Sequence, residues 1–317
     1  MNDFLLIIAI ITQLTGLTLP QVIGDEFNLA PVYDQENNLS WHAEPVVNIW
    51  PQIDRQTGPR AVRTDIGPGE LKAKAAIVED AATGQILYQK QADIMMPIAS
   101  ITKLMTVLVF LDHNPGWNVK HQMQADENNL EGAKLQIGNG QELTTHDLLR
   151  TTLVGSANNT AKALARSTGL SDEEFAAAMN DKAKLLGLTN SKFVEPTGLN
   201  AGNQSSVSDL AILFREVLKH QALRDAIILS EHDLSIPPDN HFHAVKSTVK
   251  LLSDPEAHLI GGKTGFTYEA GYCLISAANN EFGHTIITAT LDLPSEIDRD
   301  SENKRLINWA FNNYIWE

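Results

Sequence analysis

Pro97-Ile98-Ala99-Ser100-Ile101-Thr102-Lys103-Leu104-Met105-Thr106-Val107-Leu108-Val109-Phe110 is an almost wholly apolar run. A helix that is apolar all round is a buried one. A lysine in such a helix is costly unless it has a partner or a task. Residues three apart share a helix face, so the amine of Lys103 is expected beside the hydroxyl of Ser100. A neutral amine in that place can take the serine proton, and burial or a second nearby cation favours neutrality. Ser100 follows Pro97 near the helix start, where free N–H groups and the positive dipole end favour developing negative charge. Ser-x-x-Lys also occurs on ordinary surface helices, so the rest of the chain has to decide.

Two further motifs follow in order. Thr144 with Asp147 reads as a capping box, and Leu148, Leu149 and Leu153 continue that helix. Gly155 is expected to allow a tight break, where Ser156-Ala157-Asn158 points a hydroxyl and an amide into a cleft. Alone, this would be a helix–helix turn with local caps. Further on stands Gly261-Gly262-Lys263-Thr264-Gly265, before a β-branched and aromatic stretch that reads as a strand from Gly271. Asn279 to Gly283 reads as a hairpin turn and His284 to Leu293 as the returning strand. The glycines around Lys263 let a substrate backbone approach, and Lys263 and Thr264 suit a substrate ending in a carboxylate.

Ser-x-x-Lys, Ser-x-Asn and Lys-Thr-Gly in this order are the signature of penicillin-binding proteins and serine β-lactamases. From about Ala75 onward the chain resembles the low-molecular-mass D-alanyl-D-alanine carboxypeptidases. The flanks carry the likeness too: Ala75 to Leu87, Glu195-Pro196-Thr197-Gly198-Leu199-Asn200, and the segment from Lys263 to Cys273. The resemblance implies that Ser100 is the acylated nucleophile and Lys103 its proton acceptor. It implies that Ser156 and Asn158 relay a proton and hold the substrate amide, and that Lys263 and Thr264 of Lys263-Thr264-Gly265 bind the terminal carboxylate. The backbone N–H groups of Ser100 and Phe266 would form the oxyanion hole.

Two departures stand out. Ala157 replaces the glycine common in the second motif. The stretch before the third motif, usually Asn-rich, reads Lys246-Ser247-Thr248-Val249-Lys250-Leu251-Leu252. Glu195 imitates the water-activating glutamate of class A β-lactamases, but Leu199 stands four residues on rather than three, so Glu195 is expected to be a loop residue. β-Lactams are therefore expected to acylate Ser100 and leave slowly.

The resemblance implies peptidoglycan stem peptides ending in D-Ala-D-Ala as substrate and carboxypeptidase activity. The alternatives are an endopeptidase cutting D-Ala crosslinks or a non-catalytic penicillin-binding wall module. No cofactor and no metal are expected. Ten histidines invite a zinc peptidase, but His241-Phe242-His243 and Glu281 with His284 form no His-Glu-x-x-His helix. The net charge of −15 disfavours nucleic acid and gives no hold on anionic lipid. Cys273 is the single cysteine, expected as a buried packing residue.

Residues 1–24 fit an export signal or an uncleaved anchor, with an apolar run from Phe4 to Ile11. This places the protein outside the cytoplasmic membrane and confines membrane contact to that segment. Residues 25–72, broken by Pro31, Pro45, Pro51, Pro59 and Pro68, read as a tether. The peptidase domain is expected over 73–317. Its fold class is α/β of the α+β type: an antiparallel sheet from both ends of the domain, flanked by helices, with a mainly helical insertion over about 115–235. That is a β-lactamase/transpeptidase-like arrangement. Hairpin strands are expected at Ala75 to Asp80 and Gln85 to Gln89, and helices at Asp172 to Leu186, Leu210 to Leu218 and Arg299 to Tyr314. With Glu317 as its last residue, the chain is expected to lack the C-terminal β domain and tail helix of many carboxypeptidases.

Overall fold

Ala75-Ala76-Ile77-Val78-Glu79-Asp80 forms a strand, β1 (Ala75–Asp80), buried along its whole length. Alternate side chains of a strand face opposite ways, so such a strand needs cover on both sides. Ala75 and Ile77 join one apolar cluster, and Ala76 and Val78 join another. β1 sits inside a five-stranded sheet with β2 (Ile86–Lys90), β3 (Leu259–Thr267), β4 (Gly271–Asn279) and β5 (Thr285–Leu293). The order is β3-β4-β5-β1-β2, and every neighbouring pair is antiparallel. The sheet is thus built from both ends of the domain, and β3, the strand of the third motif, is an edge.

The computed structural model describes residues 58–62, 66–236 and 241–316, with the backbone of two strands at 29–33 and 39–43. Within the expected tether those strands, Leu29–Tyr33 and Leu39–Ala43, pair antiparallel in a unit separate from the one that begins at Ile53. The expected export segment over 1–24 lies outside the described residues. The peptidase unit starts earlier than Ala73. Arg60–Ala61 pairs with Tyr314–Ile315, Trp309 Nε1 donates to the Ile66 carbonyl, and Glu302 accepts from the backbone N–H of Lys72 and Ala73. No helix among the described residues is long and apolar enough to cross a membrane.

The serine-bearing run opens with a single 3-10 turn, Ala99–Thr102, and continues as α1 (Lys103–Asp112). Every residue of α1 from Lys103 to Phe110 is buried. Among the described residues, the other helices of seven or more residues are α2 (Thr145–Val154), α3 (Asn158–Ser167), α4 (Asp172–Leu186), α5 (Val207–Lys219), α6 (Gln221–Ile227) and α7 (Glu296–Asn313). α1 is packed by α2, α3, α4 and α5, which is why no face of it is polar. The caps that the sequence patterns Thr144 with Asp147 and Ser206 with Asp209 lead one to expect are present, each side chain accepting from the backbone N–H three residues on, and Ser171 caps α4 in the same way through Glu174 N.

Three outcomes differ from the sequence expectation. α5 lies against β5 and β1, so the helical insertion ends well before residue 235. α7 begins at Glu296 because Ser295 accepts from Asp298 N and caps it three residues early. A hairpin of Glu231–Ile236 and His241–Lys246 stands where no strand was expected. α7 covers the second face of the sheet through Leu306, Ile307 and Ala310. Cys273 is fully buried, and burial pushes its thiol up to about 12, in keeping with a packing role.

Phe214 of α5 is wholly buried against the sheet, whereas Leu185 of α4 is 79% exposed. Phe214→Ala should destabilise the fold by about 3–5 kcal/mol in urea unfolding, and Leu185→Ala by under about 0.5 kcal/mol.

Candidate active site

Ser100 and Lys103 meet as their spacing demands: Lys103 Nζ stands 2.8 Å from Ser100 Oγ. The same nitrogen is 2.7 Å from Asn158 Oδ1 and 2.6 Å from the Thr197 carbonyl oxygen. Both of those partners can only accept. A neutral amine has two N–H groups and one lone pair. With its N–H groups given to Asn158 and Thr197, its lone pair faces the serine hydroxyl. Lys103 has no exposed surface, and burial pushes its ammonium down to about 7, with the Glu195 charge pulling the other way. Lys103 thus carries the free-base form in quantity at neutral pH, and desolvation rather than a neighbouring cation is the main cause.

The second motif joins α2 to α3. Gly155 keeps helical dihedrals, and the left-handed residue is Ser156, with φ at 56°. The glycine is needed for another reason: a Cβ there would come within 2.5 Å of Val245 Cγ1 in the hairpin. Ala99, next to Ser100, is also left-handed, with φ at 46°. Non-glycine residues in that region are strained, and such strain gathers at functional sites. Asn158 is fixed at both ends of its amide. Oδ1 faces Lys103, and Nδ2 donates to the Glu131 carbonyl at 2.7 Å, which leaves one N–H for a ligand.

The third motif lies on the edge strand β3. Lys263 is fully buried, with Nζ 2.7 Å from Ser156 Oγ and 3.0 Å from the Thr264 carbonyl oxygen. Burial first, then the charges of Lys103 and Arg299, hold its ammonium well below the usual lysine range. Its nitrogen therefore meets the Ser156 hydroxyl rather than solvent. Gly265 brings the strand against the turn of Ser100: a Cβ there would lie 2.7 Å from the Ile98 carbonyl oxygen and 3.3 Å from Ser100 N. Phe266 follows, its ring 45% exposed and packed 4.3 Å from Tyr272.

Three contributors were not singled out in the sequence. Thr248, in the stretch that departs from the Asn-rich pattern, has its Oγ1 2.6 Å from Thr264 Oγ1, and its N–H donates to the Val154 carbonyl. It ties the second motif to the third. Thr197 acts through its carbonyl, which no side-chain pattern reveals. Asn159 holds the Glu131 loop by bonding both N–H and C=O of Leu135. Glu195 is a loop residue, as expected. Its carboxylate accepts from the backbone N–H groups of Thr197 and Gly198, which sets the Thr197 carbonyl against Lys103. Among the described residues no group of three or more His, Cys, Asp or Glu could hold a metal ion.

Residues 61–295 match the Peptidase S11 family, described as D-alanyl-D-alanine carboxypeptidase. The chain belongs to that family. It is an enzyme of the serine peptidase class, as its three motifs imply. It is 34% identical over 207 residues to a D-alanyl-D-alanine endopeptidase of Pseudomonas aeruginosa, covering 65% of this chain and 67% of that one. It is 30% identical over 248 residues to the D-alanyl-D-alanine carboxypeptidase DacF of Bacillus subtilis, covering 77% of this chain and 63% of that one. The crystal structure of the Streptomyces K15 DD-transpeptidase superposes with a TM-score of 0.72 at 27% identity, covering 78% of this chain and all of that one. The expected transpeptidase-like fold is therefore the observed one.

Because the amine must be unprotonated to take the Ser100 proton, acylation by a fluorescent penicillin should fall about tenfold per pH unit below 7 and level off above it. A flat profile from pH 5.5 to 8.5 would remove Lys103 as the base. Thr248→Val should raise the penicillin concentration for half-maximal acylation rate about fivefold, the worth of one hydrogen bond of about 1 kcal/mol, and Thr248→Ser should restore it.

Proposed function

We propose that the protein is a serine D-alanyl-D-alanine carboxypeptidase that trims peptidoglycan stem peptides through an acyl-enzyme on Ser100. The observation that carries this is the buried Lys103 Nζ, 2.8 Å from Ser100 Oγ and beside two acceptor-only partners.

In the proposed sequence Lys103 takes the hydroxyl proton as Oγ attacks the carbonyl of the penultimate D-alanine. The N–H groups of Ser100 and Phe266 receive the developing oxyanion. The C–N bond breaks, and the proton reaches the leaving amine through Ser156, whose hydroxyl is held by Lys263. The terminal carboxylate of the leaving D-alanine rests on Thr264, with Lys263 behind it. The remaining N–H of Asn158 holds the substrate amide. Water then hydrolyses the ester and returns the proton to the site. β-Lactams would form the same ester and leave slowly. Because peptidoglycan lies outside the cytoplasmic membrane, the reading places the enzyme in the extracytoplasmic space, with membrane contact only through the N-terminal segment.

One observation favours a second reading. The Pseudomonas relative at 34% identity is an endopeptidase, so crosslinks are a substrate to test beside pentapeptide termini.

Incubation with a fluorescent penicillin should give a covalent adduct, and Ser100→Ala should abolish it. With purified muropeptides, mass spectrometry should detect release of free D-alanine from pentapeptide monomers. Labelling that survives Ser100→Ala would remove the nucleophile from its role.

A further inference from the structure

β3 gives the cleft a direction. On the proposed function the scissile carbonyl sits by the N–H groups of Ser100 and Phe266 and the substrate carboxylate by Thr264, two residues back along the strand. What a substrate carries beyond that carboxylate, on the amine side of the scissile bond, is then directed toward Gly262 and the segment packed on it. That segment is Ser247-Thr248-Val249: Thr248 bonds Thr264, and Val249 lies within van der Waals reach of a side chain at Gly262.

Ser247 and Val249, the two neighbours of Thr248, line a cavity of about 390 Å³ together with Ser230, Glu231, Lys246 and Lys250. That is a volume in the range of small-ligand sites. Its wall is polar, with serine hydroxyls suited to peptide groups and two lysines suited to carboxylates. Lys250 is paired with Glu296 at 3.0 Å but keeps 68% of its side chain exposed. Lys246 lies across the hairpin from Glu231. An exposed ion pair such as that of Lys250 with Glu296 is weak and exchanges readily for a ligand carboxylate.

A pentapeptide terminus ends at the carboxylate anchor and cannot reach this cavity. A crosslinked peptide can, because its leaving amine belongs to a diamino acid that carries a second stem with its own carboxylates. We propose that this cavity receives the amine-side stem peptide of a crosslinked muropeptide, with Lys246 and Lys250 holding its carboxylates. The assignment rests on the proposed acyl-enzyme chemistry and adds to it a crosslink-specific contact outside the catalytic groups.

The test compares wild type with the double variant Lys246→Gln/Lys250→Gln on three reactions: penicillin acylation, D-alanine release from monomers, and cleavage of crosslinked dimers. Penicillin acylation also reports that the variant is folded. The expected result is a loss of about tenfold in kcat/KM for dimers, with the other two reactions within twofold of wild type, and a smaller gap at high salt. Equal losses on monomers and dimers, or none on dimers, would overturn the assignment. So would a wild-type enzyme that releases D-alanine and leaves dimers intact, although the proposed function would then stand. A wild type that neither binds penicillin covalently nor releases D-alanine would overturn both.

Discussion

An amine without water is the constraint around which this molecule is organised. Taking a lysine wholly out of solvent is unfavourable for its charged form and forces it toward neutrality. The chain accepts that penalty at Lys103 by surrounding α1 with helices and the sheet, then supplies two acceptors and one hydroxyl at the buried nitrogen. A lysine with three acceptors and room for water would remain an ammonium, and the serine beside it would keep its proton. The apolar run that signals a buried helix and the chemistry of the nucleophile are therefore one physical fact.

Several separate pieces of chain have to converge for this to hold. The turn at Ala99–Thr102 offers the hydroxyl, the α2–α3 junction offers Ser156 and Asn158, the Glu195 loop offers a carbonyl, and the edge strand β3 closes the wall. Ala99 and Ser156 both sit in left-handed backbone. Their neighbours hold them there: Gly265 packs on Ala99, and Lys263 grips the Ser156 hydroxyl. The second lysine is thus as much a fastening as a charge. Buried behind Ser156, its nitrogen lies 2.7 Å from that hydroxyl.

Much of this was legible in the residues. The apolar run around Ser100, the Ser-x-Asn turn and Lys-Thr-Gly named side chains that the fold brings together, and the patterns at Thr144 and Ser206 marked helix N-caps. The parts that escaped have physical reasons. A carbonyl contribution such as that of Thr197 depends on loop geometry, which Glu195 sets through backbone N–H groups. The Glu231–Ile236 strand does alternate, with His232, Leu234 and Ile236 inward, yet two of its three exposed residues are acidic and the apolar signal is short. Gly155 reads as a helix stop, but its smallness serves the approach of Val245, and the strained dihedral passes to the next residue. The packing of α5 on the sheet follows from topology, since an amphipathic helix does not declare which layer it will cover.

The pairing of β1 with β5 has a consequence for how the enzyme is made. Ala75, in the first strand of the sheet along the chain, finds its partner in Leu291, in the last. Contacts so distant along the chain are slow to form and leave strand edges bare meanwhile. A growing chain holds Ser100 and Lys103 long before β3 exists to cover them. The proposed site is therefore completed late, with the closing of the sheet.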